Sequence, residues 1–333
     1  MVRLLCGLVC LGCFAPSVAN TQPVMRPQDK IRIREAISIS EQIGNKIWPR
    51  YNNVPFAVLL VTDSVEFLMN HPNPSLDFNR SEFDSLLSID IYFRKRIFDT
   101  HLLATFPAVQ GIPCIVIGQP ENTKLNSTEW VITLLHEHFH QYQYSQKDYY
   151  ESVNGLDLAG GDESGMWMLN YPFPYDSLPV KELFKNYTHA LQQAVLNISN
   201  KNFHTSFRIY LAARKKFKKI LNERDYRYFC FQLWQEGVSR LTEYLFLLQM
   251  KNYRPSLAFR QLDGFEDFNL YRKRIIQQEI ENITKLSLNK ARRISFYSVG
   301  FAEGLLLEKT NPDWKKNYFT KKFFMEGYFD TSR

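Results

Sequence analysis

The segment from Trp130 to Tyr144 restricts what this chain can fold into more than any other. It reads WVITLLHEHFHQYQY, so that imidazole and carboxylate groups stand within an otherwise apolar helical pattern. The residues Asn126-Ser127-Thr128 precede it, and each of them is a suitable helix N-cap. Glu129 is favourably placed in the first turn. The sequence therefore predicts a helix that starts just before Trp130.

Two histidines of this predicted helix lie on one face. Residues four apart in an α-helix nearly overlie one another, so His136 and His140 can bind one metal ion. Glu137 is next to that face, where its carboxylate can reach a metal-bound water and act as a general base. His138 is rotated by about 200° from His136 and is not expected to take part. This HExxH pattern predicts one Zn²⁺ ion.

A catalytic zinc ion normally has three protein ligands, so the motif requires one more residue. The residues that follow His140 do not provide a third histidine at the spacing of the extended motif, which favours a carboxylate. Glu236 is the preferred candidate, because it lies in an otherwise apolar predicted helix and Gly237 beside it permits close approach of another backbone. Glu163, in a glycine-rich segment, is the alternative ligand. The structural alternative for Glu236 is a salt bridge to a basic helix.

These two motifs resemble the gluzincin group of zinc metallopeptidases, in which HExxH on one helix is joined by a glutamate from a later helix. The stretch Trp234-Gln235-Glu236-Gly237 is similar to the W-x-E-G context of that glutamate. The resemblance implies that His136, His140 and Glu236 are zinc ligands and that Glu137 is the base and proton shuttle. It covers the two motifs and not the whole chain. His140 and Glu236 are much farther apart than in the best-known members, so an insertion must be assumed.

Three more residues are candidates for roles at such a site. Arg240 and Glu243 lie one and two helical turns beyond Glu236, where either can orient a metal ligand. Pairing at the surface explains these two residues equally well. Tyr297 is a candidate hydrogen-bond donor to the oxyanion of a tetrahedral intermediate. It lies in a segment with small residues four apart, which predicts tight helix packing.

The remaining pattern predicts an α+β, mainly helical fold of zincin-like, two-lobed architecture. We expect a mixed α/β lobe at 20–125 and a helical lobe with both metal motifs at 126–333, with 20–333 forming one catalytic domain. The chain is 45% hydrophobic, which is enough to bury a large core. The predicted elements are a helix at 31–47, a hairpin at 56–61 and 65–69, a strand at 112–117, and helices at 129–144, 180–197, 205–221, 227–251, 270–286 and 291–309. A long loop, rich in glycine, proline and aromatic residues, is predicted at 157–179.

The N-terminal residues of the chain predict that the protein is exported. Arg3, the apolar run at 4–14 and Ser17-Val18-Ala19 are typical of a secretory signal peptide at 1–19. The protein is then periplasmic or secreted. Lipidation of Cys13 is the less favoured alternative, because Cys10 stands where lipoprotein sites usually have leucine. No later segment is long and apolar enough to span a membrane.

The charge of the chain bears on its binding partners, and its cysteine content bears on disulfide formation. The net charge is +7, but the basic residues are spread along the chain and solvated helix faces explain their clusters, so a nucleic-acid partner is not expected. Loose or lipid-anchored association with an anionic envelope surface is compatible with this charge. After removal of the signal peptide, Cys114 and Cys230 remain, and the sequence allows either a disulfide or two buried thiols.

These patterns together predict an exported zinc metallohydrolase, and more specifically a peptidase that acts on peptide or protein substrates. In that interpretation Glu137 assists attack of a zinc-bound water on a peptide carbonyl. Two alternatives stay open. One is a zinc hydrolase with a non-peptide substrate, and the other is a non-catalytic exported binding protein whose histidines are structural.

Overall fold

The computed structural model of the protein describes residues 22–329, so the predicted signal peptide at 1–19 lies outside the described residues. Helices make up 56% of the described residues and accompany one six-stranded mixed sheet. The predicted α+β, mainly helical class is confirmed. Within 22–329, no helix combines the length and the apolar character needed to cross a membrane.

The sheet is formed by the part of the chain between the first helix and the HExxH segment. Its strands are β1 (Val58–Val61), β2 (Val65–Met69), β3 (Asn79–Asp84), β4 (Ile89–Lys95), β5 (Leu103–Val109) and β6 (Ile112–Gly118). Their order is β3-β4-β2-β1-β6-β5, and every neighbouring pair is antiparallel except β1 with β6. The central strand β1 is buried along its whole length, as its continuous apolar sequence requires.

The helices surround one face of this sheet and continue into the second half of the chain. They are α1 (Pro27–Ile47), α2 (Pro120–Thr123), α3 (Ser127–Tyr144), α4 (Tyr149–Asn154), α5 (Trp167–Asn170), α6 (Leu178–Leu196), α7 (Phe203–Ile220), α8 (Glu223–Gln232), α9 (Val238–Gln249), α10 (Leu257–Arg260), α11 (Phe268–Lys285), α12 (Leu288–Ala291) and α13 (Ile294–Thr310). One turn of π-helix, Leu233–Gly237, connects α8 to α9. Short 3₁₀ turns lie at Tyr51–Asn53, Met250–Asn252, Trp314–Asn317 and Met325–Tyr328.

The sequence predicted the central strands but not the outer ones. The hairpin is confirmed by the antiparallel pairing of β1 with β2, and the strand predicted at 112–117 is β6. Strands β3, β4 and β5 were not predicted. Edge strands β3 and β5 have only partial burial, and β5 contains Pro107, so neither has the apolar alternation on which the prediction depends.

One long helix was predicted at 227–251, and this prediction was wrong in its continuity. The structure divides the segment into α8, the π turn and α9, although the residues at both ends of the π turn, Gln232, Leu233, Gly237 and Val238, keep right-handed helical backbone angles. A change in hydrogen-bonding pattern within an unbroken helical path leaves no mark on hydrophobic periodicity. The predicted loop at 157–179 contains the short helix α5.

The two cysteines of the described chain are separate. Cys114 in β6 and Cys230 in α8 are both buried free thiols, so the disulfide alternative is not what the structure contains. Burial raises the pKa of each thiol above its usual range. Both thiols are therefore protonated and unreactive at neutral pH.

Helix α3 packs against strands β5 and β6 of the sheet and against helices α1 and α9. The indole Nε1 of Trp130 donates to the backbone oxygen of Gly118 at the end of β6, over 2.8 Å. The hydroxyl of Thr105 in β5 donates to the backbone oxygen of Glu137, over 2.9 Å. These buried contacts set the rotation of α3 and direct one face of it toward the helices that follow.

Candidate metal centre

The position of the HExxH residues is set at the start of α3. The Asn126 side-chain oxygen accepts a hydrogen bond from the backbone N–H of Glu129 at 2.9 Å, and a Glu129 carboxylate oxygen accepts from the backbone N–H of Asn126 at 3.1 Å. This reciprocal pair is a capping box, and it starts the helix at Ser127, slightly before the predicted start at 129; Asn126 is one of the three residues that the sequence offered as a cap.

The imidazoles of His136 and His140 and the carboxylate of Glu236 converge on one point, and together they form a group that could hold a metal ion. The two Nε2 atoms are 3.1 Å apart. Glu236 Oε2 lies 3.7 Å from His136 Nε2 and 3.5 Å from His140 Nε2. Tetrahedral zinc with bonds of about 2.0–2.1 Å separates its ligand atoms by about 3.3 Å. The spacing of the three atoms therefore fits one zinc ion.

The other ring nitrogen of each histidine contacts a side-chain oxygen. His136 Nδ1 lies 2.5 Å from Glu243 Oε1, and His140 Nδ1 lies 2.7 Å from the side-chain oxygen of Gln143. An N–H at each Nδ1 leaves the lone pair of each Nε2 directed at the shared point. Metal-binding histidines are usually held in this way by hydrogen bonds from the ring nitrogen that does not bind the metal.

The charges around this point favour a cation. Burial lowers the pKa of His136, but the carboxylates of Glu236 and Glu243 outweigh that effect and raise it to about 10. Burial also acts to raise the pKa of Glu236, yet the neighbouring His140 and His136 hold it well below its usual range. Two carboxylates thus face two imidazoles in a buried space, where a metal ion would supply the positive charge otherwise provided by protons.

Glu137 lies on the same helix and is 5% exposed. Within residues 22–329, its Oε2 atom is buried and has no hydrogen-bond partner. Leaving a buried carboxylate oxygen unpaired is unfavourable, and a functional role is a common reason for it. The free oxygen is available to a water molecule that enters the cluster.

Glu236 belongs to the π turn Leu233–Gly237, a geometry that often accompanies functional sites. The turn packs against α13 with almost no space between the two backbones. A Cβ atom added to Gly237 would lie 2.4 Å from the Cα atom of Gly300. Both the close approach at Gly237 and the tight packing of small residues in α13 were predicted, and both are confirmed. This contact holds Glu236 at a fixed distance from α13.

Substitution of Gly237 by alanine is expected to destabilise the protein by about 1–3 kcal/mol, because the added methyl group must push backbone away from backbone. Chemical denaturation of both proteins measures the difference. Gly327→Ala is the matched control, since a Cβ atom at Gly327 meets nothing within 4 Å. Equal stabilities of the two variants would contradict this account of the packing.

The structure brings three further candidates to the cluster. Glu243 contacts His136 as described, and its second oxygen accepts from Arg240 Nη1 at 3.0 Å. The surface-pairing alternative does not describe Glu243, which is buried. The hydroxyl of Tyr297 lies beside Glu236: burial raises the pKa of Tyr297 well above its usual range, and the Glu236 carboxylate adds to this effect.

His138 and the alternative ligand Glu163 both lie outside the cluster. His138 Nδ1 pairs with the side-chain oxygen of Gln141 at 2.8 Å, and its ring packs against Tyr51 and Phe56. Burial lowers the pKa of His138 to about 4, so it is neutral in the core. Glu163 is exposed in the loop before α5 and is not part of the cluster formed by the described residues.

The sequence did not lead us to predict the side-chain amide of Gln143, which supports His140. The Gln143 side-chain N–H₂ group donates to the Tyr318 hydroxyl at 2.7 Å and to the Gln235 backbone oxygen at 3.1 Å, which leaves its oxygen facing His140. Gln143 follows His140 by three residues and so shares its helix face, which was a usable signal. Tyr318 lies far away in the sequence, and no local pattern indicates its contact.

Comparison with known proteins gave no match to a family model, to a curated protein sequence or to a solved structure. The protein is therefore described by its own fold and by the residues of its site. It is an α+β protein in which His136, His140 and Glu236 could hold a metal ion next to an unpaired carboxylate.

Proposed function

We propose that the chain is an exported zinc-dependent metallohydrolase of gluzincin type, and that it cleaves peptide bonds. The observation that carries this proposal is the convergence of three ligand atoms, two of them from the helix that also contains Glu137. The Oε2 atom of Glu137 is buried and has no hydrogen-bond partner among the described residues. The HExxH and W-x-E-G motifs support it from the sequence. We also propose a two-lobed, zincin-like architecture, with the sheet in one lobe and the helices that follow α3 in the other.

Each residue of the cluster has a distinct task in this proposal. His136, His140 and Glu236 would hold zinc, which supplies Lewis-acid polarisation of a carbonyl and acidifies water when it is bound. Glu137 accepts the proton of the attacking water and later donates it to the leaving nitrogen. Tyr297 donates a hydrogen bond to the oxygen of the carbonyl under attack.

A peptide is the proposed substrate because an amide nitrogen must be protonated before it can leave. A single carboxylate with one free oxygen can first take and then return a proton, and Glu137 meets that requirement. Glu243 and Gln143 keep the two imidazoles in the orientation that the ligands need.

Metal analysis tests the proposal most directly. Purified wild type is expected to contain one zinc per chain, and His140→Ala and Glu236→Ala are expected to lose it. Removal of a direct ligand should weaken binding by more than the roughly 10- to 100-fold typical of outer contacts. Glu163→Ala is the control and should keep full zinc, because Glu163 is exposed outside the cluster.

Absence of stoichiometric zinc from the wild type would refute the metal site itself. If Glu236→Ala keeps its zinc and Glu163→Ala loses it, the alternative third ligand is correct. A peptide library analysed by mass spectrometry then separates a peptidase from a hydrolase of another class, since only a peptidase gives cleaved peptides.

A further inference from the structure

Arg293 lies at the start of α13, next to the tyrosine of the candidate site. Its Nη1 atom donates a hydrogen bond to the Tyr297 hydroxyl, and the guanidinium lies 5.6 Å from the centre of the Tyr297 ring. Arg293 is half-buried, so that part of the side chain is open to solvent. The Glu236 carboxylate also acts on this hydroxyl, since together with burial it raises the pKa of Tyr297 well above its usual range.

The packing of α13 explains this placement. Residues 293, 297 and 300 are four and three positions apart and therefore share one face of the helix. Gly300 on that face touches the π turn at Gly237, immediately after Glu236. The two side chains that precede Gly300 on the same face consequently extend along the edge of the cluster.

The Glu236 carboxylate acts on the charge of Arg293 without forming a salt bridge with it. Arg293 forms no salt bridge with any residue between 22 and 329, and its one side-chain hydrogen bond goes to a neutral phenol. The other cation near the cluster, Arg240, is paired with Glu243 at 3.0 Å. The acidic groups Glu236 and Glu243 are in turn engaged with the histidines. Apart from Glu137, the proposed base, the charged group at this edge that lacks an ion pair among the described residues is Arg293.

We propose that Arg293, held in place by the Tyr297 hydroxyl, forms a subsite for a substrate carboxylate, and that the protein removes residues from the carboxyl end of peptides. This inference rests on the proposed peptidase function. A guanidinium presents paired N–H donors that match the two oxygens of a carboxylate. Its position beside Tyr297 places the bound carboxylate close to the bond under attack. The same chemistry would accept an Asp or Glu side chain, so the source of the carboxylate must be tested.

An aminopeptidase would require the opposite charge pattern. Recognition of a free amino terminus needs an acidic group that is not engaged elsewhere, and Glu236 and Glu243 are both engaged. Glu137 has a free oxygen, but it is the proposed base. The arrangement therefore favours the carboxyl end of the substrate over the amino end.

Binding of matched peptides tests the subsite without depending on turnover. Peptides of identical sequence are prepared with a free or an amidated carboxyl terminus, and each pair is also made with an internal Asp or Asn. Calorimetry measures their affinity for zinc-loaded Glu137→Gln protein that also contains Arg293→Gln, Arg293→Lys or no further change. Arg292→Gln is the matched control, because Arg292 is the adjacent residue but is exposed and lies 4.0 Å from Asp176.

The free terminus is expected to bind on the order of 10- to 100-fold more tightly than the amide, as for a charge-assisted hydrogen bond. Arg293→Gln should abolish this preference, Arg293→Lys should keep part of it, and Arg292→Gln should leave it unchanged. Equal affinity for free and amidated peptides, or no binding of either, overturns the proposal. A preference that follows the internal Asp overturns the carboxyl-end assignment.

Hydrolysis of the same peptides by the wild type separates the two proposals. If amidated and free peptides are cleaved equally well, the peptidase function is supported and the carboxylate subsite is refuted. If the free peptides bind with the expected preference but none is cleaved, the subsite is supported and the peptidase function is refuted.

Discussion

Replacement of Glu137 by glutamine is expected to reduce hydrolysis by roughly 10²- to 10⁴-fold, the range typical of a lost general base. The substitution preserves shape and removes the ability to accept a proton. Glu137 is not one of the three ligand residues, so zinc content should stay at the wild-type level. A steady-state assay on a cleaved library peptide, combined with metal analysis of the same sample, measures both quantities.

Glu151→Gln is the control for this experiment, because Glu151 is an exposed residue of α4. It should show wild-type activity. Full hydrolytic activity of Glu137→Gln would remove Glu137 from the mechanism. Loss of zinc together with activity would instead assign Glu137 a structural role.

Features of the site that depend on local sequence could be predicted. The capping residue of α3, the shared face of His136 and His140, and the separation of His138 from them all follow from helix geometry within one segment. Glu236 could be selected because a lone carboxylate in an apolar helix needs a partner. Gly237 next to it indicated the close backbone contact that the structure contains.

Features that depend on tertiary packing could not be predicted. Glu243 was equally compatible with a surface pair, and only the position of α3 against α9 brings it to His136. The π turn follows from hydrogen bonding that hydrophobic periodicity does not record. Strands β3 and β5 are edges of the sheet and are only partly buried, so their sequences lack the apolar alternation that predicts a strand.

The long separation between the two metal motifs has a structural explanation. The chain between α3 and α8 contains α6 and α7, which pack against each other, and α6 also packs against α13 and α11. Helix α13 in turn holds the π turn with Glu236. The inserted helices therefore support the third ligand indirectly, through α13, and do not separate it from the histidines.

A buried ionic cluster connects these inserted helices to α13. The Glu303 carboxylate is fully buried and accepts hydrogen bonds from the Tyr187 hydroxyl at 2.6 Å and the Tyr210 hydroxyl at 2.7 Å. Arg214 Nε donates to the same carboxylate at 2.7 Å and is itself 4% exposed. The second acid near Arg214, Glu326, is partly exposed and also pairs with Lys218. Glu303 is thus the principal counter-charge of a buried cation.

Glu303→Ala is expected to destabilise the protein by about 3–5 kcal/mol, because it leaves Arg214 buried without its main partner. Urea denaturation monitored by circular dichroism measures the loss. Glu281→Ala is the control, since Glu281 forms an exposed pair with Lys285 whose loss should leave the stability nearly unchanged. Glu303→Ala together with Arg214→Met should recover part of the stability, because the uncompensated charge is then removed. A loss below about 1 kcal/mol for Glu303→Ala alone would mean that Glu326 moves to neutralise Arg214, and that Glu303 is not what fixes α13 to the inserted helices.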